Sequence, residues 1–214
     1  MPAQVPKRIQ VYRLVHHVNI PYILRHGLCH RDHPQFDPNY VTIGNTDIIG
    51  KRVEEPVGLE GYGHLGEYVP FYFSGQTPFL YNIKTGYGVP QVPQRDLVYI
   101  VCSFDRLVQS GLQYVYTDGN AKIRISKRFI DPKDVDKLHW DAIGSGDFRE
   151  AVHGPDRKRV LHAEFLVRHH VPVPEFVALI VLDQERAAEM RSLVKEVGCE
   201  AKVVVDDTRR WFFP

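Results

Sequence analysis

One carboxylate of the chain lies where an ionised group is costly unless it is paired or used. Glu164 is found in the run His162-Ala-Glu-Phe-Leu-Val167, whose alternation predicts a β-strand with Glu164 and His162 on the same face. Acidic side chains are rare inside apolar strands, and those that occur there are frequent at active sites. Glu164 is therefore the first candidate for catalysis, and a structural ion pair with Arg13 or Arg52 is the alternative interpretation.

Basic residues gather in two stretches that could hold an anionic substrate. Residues 119–130 contain four cations and no acid, and Arg157-Lys-Arg159 lies directly before the strand of Glu164. Such runs are most often solvated faces. The whole chain carries 27 Lys and Arg against 26 Asp and Glu, which disfavours a nucleic-acid binder that works by global charge. Binding of nucleic acid through a local basic patch is still compatible with this charge balance.

Histidine and cysteine are also spaced in a way that allows binding chemistry. Imidazole and thiolate groups are good zinc ligands, and the spacing of His26, Cys29, His30 and His33 is close to finger-like. No second ligand pair follows at a zinc-finger distance, so a polar loop is the competing interpretation and no metal is assigned. His16, at the end of a predicted strand, is a candidate base or a structural histidine.

The motifs of several common enzyme classes are absent from the sequence. It contains no GxGxxG, GxxxxGK(S/T), GxSxG or HExxH pattern, so Rossmann, P-loop, α/β-hydrolase and zincin classes have no motif support. With 214 residues, 43% of them hydrophobic, the chain is expected to form a single domain over residues 1–214. Three cysteines, without a secretory or membrane-spanning segment, favour a cytoplasmic protein.

The elements that must position these groups are short and of mixed type. Residues 10–17 predict a strand that leads into a helix over 20–26, with Asn19 as its N-cap and Gly27 at its end. Residues 29–67 have weak periodicity and predict an irregular segment. Further strands are predicted over 68–74, 97–103, 112–117, 121–126, 159–167, 175–182 and 201–205, helices over 104–110, 132–138 and 184–197, and a loop over 141–156. This order lacks regular βαβ alternation and predicts an α+β fold.

Three of these segments, taken in order, resemble the DarT family of DNA ADP-ribosyltransferase toxins. The first is Tyr12-Arg-Leu-Val-His-His-Val-Asn19, with Gly27-Leu28 after it. The second is the aromatic run Val69-Pro-Phe-Tyr-Phe-Ser74. The third is Ala163-Glu-Phe-Leu-Val167, which contains Glu164. Each motif is short, but three in this order over nearly the whole chain are specific enough to indicate the family.

The resemblance implies an α+β, ADP-ribosyltransferase-like fold: two apposed, mostly antiparallel sheets with an NAD cleft and short flanking helices. It implies a toxin that transfers ADP-ribose from NAD, its substrate, to a base of single-stranded DNA in a sequence-specific manner. Thymine is the first expectation for that base and guanine the second. A DarG-like macrodomain antitoxin that reverses the modification is the implied partner. We expect a monomer, since the sequence has no heptad repeat.

The family motifs also imply roles for individual residues. Glu164 would stabilise the positive charge that develops at ribose C1 when the nicotinamide–ribose bond breaks, and would help deprotonate the base. Arg52 is a second catalytic candidate and a pyrophosphate or base contact. Lys51 is the alternative for this role, because the match to the family motif could be shifted by one residue. The residues expected to bind NAD are His16 (or its neighbour His17), Asn19, Gly27, Arg52, Phe71, Tyr72, Phe73 and Ser74. The residues expected to contact DNA are Asn120, Lys122, Arg157 and Arg159, together with a recognition loop over 144–160.

Three other functions are compatible with the same residues. An ADP-ribosyltransferase that acts on RNA or protein, or an NAD glycohydrolase that uses water, would need the same Glu164 chemistry. A non-catalytic single-strand-binding module would bind DNA without regard to NAD. A zinc protein would use the histidine and cysteine group after residue 26.

Overall fold

The computed structural model of the protein describes residues 5–145, 147, 149–150 and 154–214. The strands are β1 Gln10–His16, β2 Leu28–Cys29, β3 Tyr68–Tyr72, β4 Leu97–Ser103, β5 Tyr114–Thr117, β6 Arg128–Phe129, β7 Glu164–Arg168, β8 His170–Val171, β9 Phe176–Val181 and β10 Lys202–Val205. The α-helices are α1 Ile20–His26, α2 Thr46–Arg52, α3 Pro78–Thr85, α4 Phe104–Gln109, α5 Trp140–Ile143, α6 Arg157–Leu161 and α7 Gln184–Glu196. Short 3-10 helices cover His17–Asn19, Leu65–Glu67, Gln94–Asp96, Pro132–Lys137 and Val173–Glu175.

Eight of the strands form one sheet in the order β10-β9-β4-β1-β3-β7-β5-β6, and β2 pairs with β8 in a small second sheet. Neighbouring strands of the large sheet are antiparallel except β9 and β10. Strand β1 pairs with β4 along its whole length, but β1 and β3 are joined at the single registered pair of Tyr12 with Tyr72. The large sheet therefore divides at this joint into two halves. The predicted α+β fold class is confirmed, with one large sheet and one small sheet.

The core lies against the faces of the two half-sheets. Strand β4 is buried from Leu97 to Cys102, as expected of a central strand covered on both faces. Aromatic rings fill the core beside β3 and β7, where Phe73, Phe104 and Phe165 lie with ring centroids 5.3 to 6.3 Å apart. Edge-to-face contacts of this kind add to the burial of the rings. None of the helices described is long and apolar enough to span a lipid bilayer.

Several local predictions are confirmed. The strand predicted over 97–103 and the helix predicted over 20–26 have the predicted bounds. Asp183 caps α7 by accepting a hydrogen bond from Arg186 N, and Asp131 caps the Pro132–Lys137 helix through Lys133 N.

Three predictions about local structure are wrong. The segment 121–126 forms tight turns instead of a strand, with Ser126 N donating to Ile123 O. The segment Arg157–Leu161 is helical, so the strand of Glu164 begins at that residue and not at Arg159. The irregular segment 29–67 contains helix α2, which was not predicted.

The predicted N-cap role of Asn19 is also wrong. Its side chain does not cap α1 and is almost fully buried. The Asn19 amide donates to Val41 O at 2.9 Å and accepts from Val41 N at 2.9 Å, which attaches the 29–45 segment to the start of α1. Tertiary pairing of the amide with the backbone of Val41 has replaced the local cap.

Candidate active site

A cavity of about 830 Å³ opens beside the joint between β1 and β3. This size lies within the range of pockets that hold small molecules and cofactors. Its walls come from α1, β2, the 30–45 segment, α2, β3, α3 and the turn at residues 120–123. Polar and aromatic lining residues include Arg13, Tyr22, Arg31, Asp37, Arg52, Tyr72, Asn120, Lys122 and His162.

A bidentate ion pair lies at this cavity. Arg52 donates from Nη2 to Glu164 Oε2 at 2.8 Å and from Nη1 to Glu164 Oε1 at 3.3 Å. The Glu164 side chain is 0% exposed and that of Arg52 is 15% exposed. Arg52 lines the cavity and Glu164 lies behind it. The pairing links two predicted catalytic residues that are distant in the sequence, while the neighbouring Lys51 is exposed.

Helix α2 positions Arg52, and strand pairing positions Glu164. Asn45 accepts a hydrogen bond from Ile48 N and so begins α2, whose last residue is Arg52. Glu164 is the first residue of β7 and is registered opposite Tyr72 of β3. The chain therefore brings the guanidinium to the end of the strand that carries the carboxylate.

The Glu164 carboxylate has a third donor. Ala121 N donates to Glu164 Oε1 at 3.0 Å, and Glu164 N donates to Thr117 Oγ1 at 3.2 Å. The bond from Ala121 N has a carboxylate as its acceptor, and such charge-assisted bonds are stronger than neutral ones. Burial lowers the pKa of Arg52, but the charge and hydrogen bonds of Glu164 more than offset this, so the net pKa of Arg52 is raised. The guanidinium is therefore charged at all accessible pH values.

Arg13, the alternative ion-pair partner considered for Glu164, instead lines the cavity, where no role was predicted for it from the sequence. Its Nη1 donates to Pro70 O at 3.3 Å, while its Nε is buried and has no hydrogen-bond partner. A buried donor without a partner is uncommon and marks a site where a ligand acceptor would fit. The signal in the sequence was an arginine inside the apolar strand β1.

Tyr72 alone of the three aromatic candidates lines the cavity. Phe71 and Phe73 alternate with it along the chain and lie in the core, at 0% and 5% exposure. Burial, and then the charge of Glu164, raise the pKa of the Tyr72 hydroxyl, so it stays protonated at neutral pH. Ser74 follows them, is half-buried and does not line the cavity.

His162 lines the same wall, with its ring centroid 5.9 Å from that of Tyr72. Its Nδ1 lies 2.9 Å from Lys158 O, which fits an Nδ1–H donor. Burial lowers the pKa of His162, so a neutral imidazole lies beside the ion pair. Alternation along the predicted strand put this histidine on the face of Glu164, without a role.

Of the NAD-binding candidates near the N-terminus, only Gly27 lines the cavity. Gly27 lines the cavity with a φ of 79°, and a Cβ there would lie 2.5 Å from Val171 O, so glycine is required. Asn19 holds Val41, as described above. His16 accepts from Val18 N, and His17 contacts Arg186 of α7; neither histidine lines the cavity.

Two of the four DNA candidates are at the cavity. Asn120 and Lys122 line it, at the turn next to Ala121. Arg157 is held by Asp147 O at 2.7 Å and by Ser145 Oγ at 2.6 Å. Arg159 is 9% exposed and is ion-paired with Asp118 and Asp156. Within the predicted recognition loop 144–160, residues 146, 148 and 151–153 lie outside the described residues.

The four candidate zinc ligands after residue 25 are not gathered around one point in the structure. In the part of the chain that the structure describes, no group of three or more His, Cys, Asp or Glu side chains is arranged to hold a metal ion. His30 and His33 contact each other instead, with ring centroids 6.0 Å apart. The cysteines of the chain are all free thiols.

The sequence of the chain matches one protein family and relatives within it. A sequence profile described as ssDNA thymidine ADP-ribosyltransferase, DarT, matches residues 12–213. A DNA ADP-ribosyl transferase of Escherichia coli O127:H6 is 31% identical over 182 residues, covering 84% of this chain and 83% of that protein.

Two solved structures show a similar fold. DarT of Thermus sp. 2.9 in complex with ADP-ribosylated ssDNA superposes with a TM-score of 0.90 at 25% identity, over 100% of both chains. The same Thermus protein in complex with NAD+ gives a TM-score of 0.83 at 25% identity, over 98% of this chain and 100% of that one. The profile match, the E. coli relative and these superpositions agree, and the chain belongs to the DarT family of ADP-ribosyltransferases.

Proposed function

We propose that this chain transfers ADP-ribose from NAD to thymine in single-stranded DNA. The observation that carries the proposal is the Arg52–Glu164 ion pair beside a cavity of about 830 Å³, in a chain of the DarT family. A carboxylate beside the reacting sugar stabilises the oxocarbenium-like charge that develops in glycosyl transfer. Family membership supports NAD as the donor and DNA as the acceptor.

The residues present fit NAD. Its diphosphate needs cations, and the cavity offers Arg13, with its unpartnered Nε, and Arg31. Tyr72 and Phe79, whose ring centroids lie 6.0 Å apart, offer aromatic surface to a planar ring. Gly27 gives room for close approach to the backbone.

Glu164 supplies the central chemical step. Its carboxylate stabilises the positive charge that develops at ribose C1 as the bond to nicotinamide breaks. The bond that forms joins C1 to a base nitrogen, and the proton of that nitrogen must be removed. We assign Glu164 as the acceptor of this proton, with Arg52 orienting the carboxylate and meeting the developing negative charge on the base.

The acceptor strand approaches from the turn at residues 120–123. Asn120 and Lys122 line the cavity there and would contact the target nucleotide and its phosphate. Thymine is the first choice of base and guanine the second. Arg157 would join the DNA surface only if it exchanged its bonds to residues 145 and 147 for a phosphate.

The wider biological setting is part of the same proposal. We infer a toxin whose mark on DNA is removed by a DarG-like macrodomain antitoxin, as the family resemblance implies. We also infer a single domain over residues 1–214, acting as a monomer in the cytoplasm, where free thiols such as Cys29 persist.

Mass spectrometry of oligonucleotides tests the proposal. The protein is incubated with NAD and with single-stranded oligonucleotides that differ only in the presence of thymine or guanine, with a duplex of the same sequence alongside. We expect an added ADP-ribose on thymine-containing single strands, and none with Glu164→Gln. An adduct on guanine alone would change the base. Released nicotinamide without a DNA adduct would favour an RNA, protein or water acceptor instead. Binding of single strands with neither product would favour the non-catalytic module.

A further inference from the structure

The guanidinium of Arg159 is hydrogen-bonded to partners within the protein, whereas an arginine that contacts DNA needs free donors. Its Nη1 donates to Asp118 Oδ1 at 2.9 Å and to Ser126 Oγ at 3.1 Å. Its Nε and Nη2 are bonded to the carboxylate of Asp156. The Arg159 side chain is 9% exposed and that of Asp118 is 7% exposed, whereas Asp156 is 54% exposed. A buried ion pair adds little net stability, because desolvation offsets much of its attraction.

What Arg159 holds is the loop of residues 118–127. Asp118 Oδ1 accepts from Lys127 N at 2.9 Å and closes the base of this loop. Ser126 Oγ donates to Asn120 O at 2.8 Å across it. Asn120 N donates to Arg159 O at 3.0 Å, so both the side chain and the backbone of Arg159 are attached to the loop.

The loop fits closely around the guanidinium. A Cβ on Gly119 would lie 2.3 Å from Arg159 Nη1 and 3.0 Å from Arg159 O. A side chain at position 119 would therefore displace the arginine or the loop. Two residues beyond Gly119, Ala121 N donates to Glu164 Oε1 at 3.0 Å.

We propose that Arg159 is a positioning residue for the transfer reaction: its ion pair with Asp118 holds the 118–127 loop so that the Ala121 N–H is aimed at the Glu164 carboxylate. The inference rests on the proposed function of Glu164. It replaces a DNA-binding role for Arg159 with a role behind the reacting groups. The same loop presents Asn120 and Lys122 at the cavity, so one ion pair sets the positions of both the carboxylate and the acceptor side.

The two carboxylates on Arg159 provide a matched pair of variants. Asp118→Asn removes the charge on the loop, and Asp156→Asn removes the charge on the exposed partner, and both changes are isosteric. We expect kcat for transfer to a single-stranded oligonucleotide to fall about tenfold in Asp118→Asn, since small misplacements of a reacting group are costly. The KM values for NAD and for the oligonucleotide should stay within about twofold, and Asp156→Asn should stay within about twofold in every constant.

A spectroscopic measurement reports on the hydrogen bond without requiring activity. In protein labelled with 15N-alanine, the Ala121 amide is assigned from the signal lost in Ala121→Gly. Glu164→Gln should shift this amide proton in the otherwise wild-type chain, because it neutralises the acceptor. The shift should be lost in Asp118→Asn and retained in Asp156→Asn. Arg159→Met removes the other member of the ion pair and should behave as Asp118→Asn.

Three results would overturn the inference. One is equal loss of kcat in Asp118→Asn and Asp156→Asn. Another is a raised KM for the oligonucleotide with kcat unchanged, which would make Arg159 a DNA contact after all. The third is an Ala121 amide that responds to Glu164→Gln equally in both variants. Absence of any transfer by the wild-type chain would instead refute the proposed function, and the amide measurement would still test the positioning.

Discussion

Strand β7 carries one member of a carboxylate–guanidinium pair at each end. At its start, Glu164 pairs with Arg52 at 2.8 Å, with side chains 0% and 15% exposed. At its end, Arg168 is bonded to Glu67 through Nε at 2.8 Å, with side chains 23% and 27% exposed. Only the first pair has a member that lines the cavity.

The two ion pairs are similar in chemistry but differ in their surroundings. The outer pair joins the 3-10 helix before β3 to the end of β7, and Arg168 also donates to Gln113 Oε1 at 2.6 Å and Gly61 O at 3.0 Å. It is a structural link between these segments. The inner pair takes the Glu164 carboxylate fully out of water and Arg52 largely so, and desolvation offsets much of their attraction. Its position next to a cavity supports the proposed chemical role.

The largest effect is expected from removing the inner carboxylate. Glu164→Gln keeps an acceptor for Ala121 N but removes the negative charge, so transfer should fall by about 10³-fold or more. The chain should still fold, since the partly exposed Arg52 can be hydrated from the cavity. Oligonucleotide mass spectrometry measures the activity and thermal unfolding measures the fold. Activity within tenfold of wild type would contradict the assignment of Glu164.

The next largest effect should distinguish Arg52 of the inner pair from Arg168 of the outer pair when each is changed to lysine. Arg52→Lys keeps the charge but cannot make the bidentate contact, and we expect kcat to fall about 10²-fold. Arg168→Lys makes the same change in the outer pair and should leave kcat within about twofold. Steady-state kinetics of both variants provide the comparison. Equal losses in the two would mean that the inner pair acts only as a structural link.

Stability should respond mainly to the outer pair. Arg168→Gln breaks a partly exposed ion pair and two further hydrogen bonds, so the free energy of unfolding should fall by about 1 to 2 kcal/mol. Activity of the folded protein should be unchanged within about twofold. Urea denaturation and kinetics on the same sample test this. A loss of activity larger than the loss of folded protein would contradict it.

The smallest effect concerns pH. Burial raises the pKa of Glu67, but the His64 backbone and the Arg168 guanidinium lower it more, so its net pKa lies below the ordinary value of 4.5. The folded state therefore gains stability from Glu67 above about pH 4.5, and that gain is lost as the pH falls through the lowered pKa. The free-energy difference between wild type and Glu67→Gln should shrink from pH 7 to pH 3 in urea denaturation. A difference that is constant with pH would show that the charge of Glu67 contributes nothing.

The sequence predicted the fold class and the candidate residues Glu164 and Arg52 better than the local structure around them. The α+β fold class and the resemblance to DarT are confirmed, and Glu164 stood out because a carboxylate in an apolar strand needs an explanation. Helix α2 was missed because none of its residues is buried, so it has no apolar face that periodicity would detect. Arg52, at the end of this helix, was considered as an ion-pair partner of Glu164, and only its catalytic role came from the family resemblance.

One further error, and one contact that the sequence did not predict, have other causes. Ile123 and Ile125 alternate with polar residues as in a strand, yet they are 41% and 70% exposed on tight turns. Arg159 belongs to a basic run, and the sequence does not reveal that Asp118, 41 residues away, neutralises it. Long-range pairing of charges is therefore what sequence patterns convey least.

The attachment of Val41 by Asn19 has a consequence for the chemical ageing of the protein. One amide acts as both donor and acceptor to the segment that forms a wall of the cavity. Deamidation would turn the donor into a second acceptor facing Val41 O and would release that wall. The reaction requires attack by the nitrogen of Ile20, which is already bonded to His17 O at the end of the 3-10 helix. The fold thus protects from deamidation the amide on which the shape of the cavity depends.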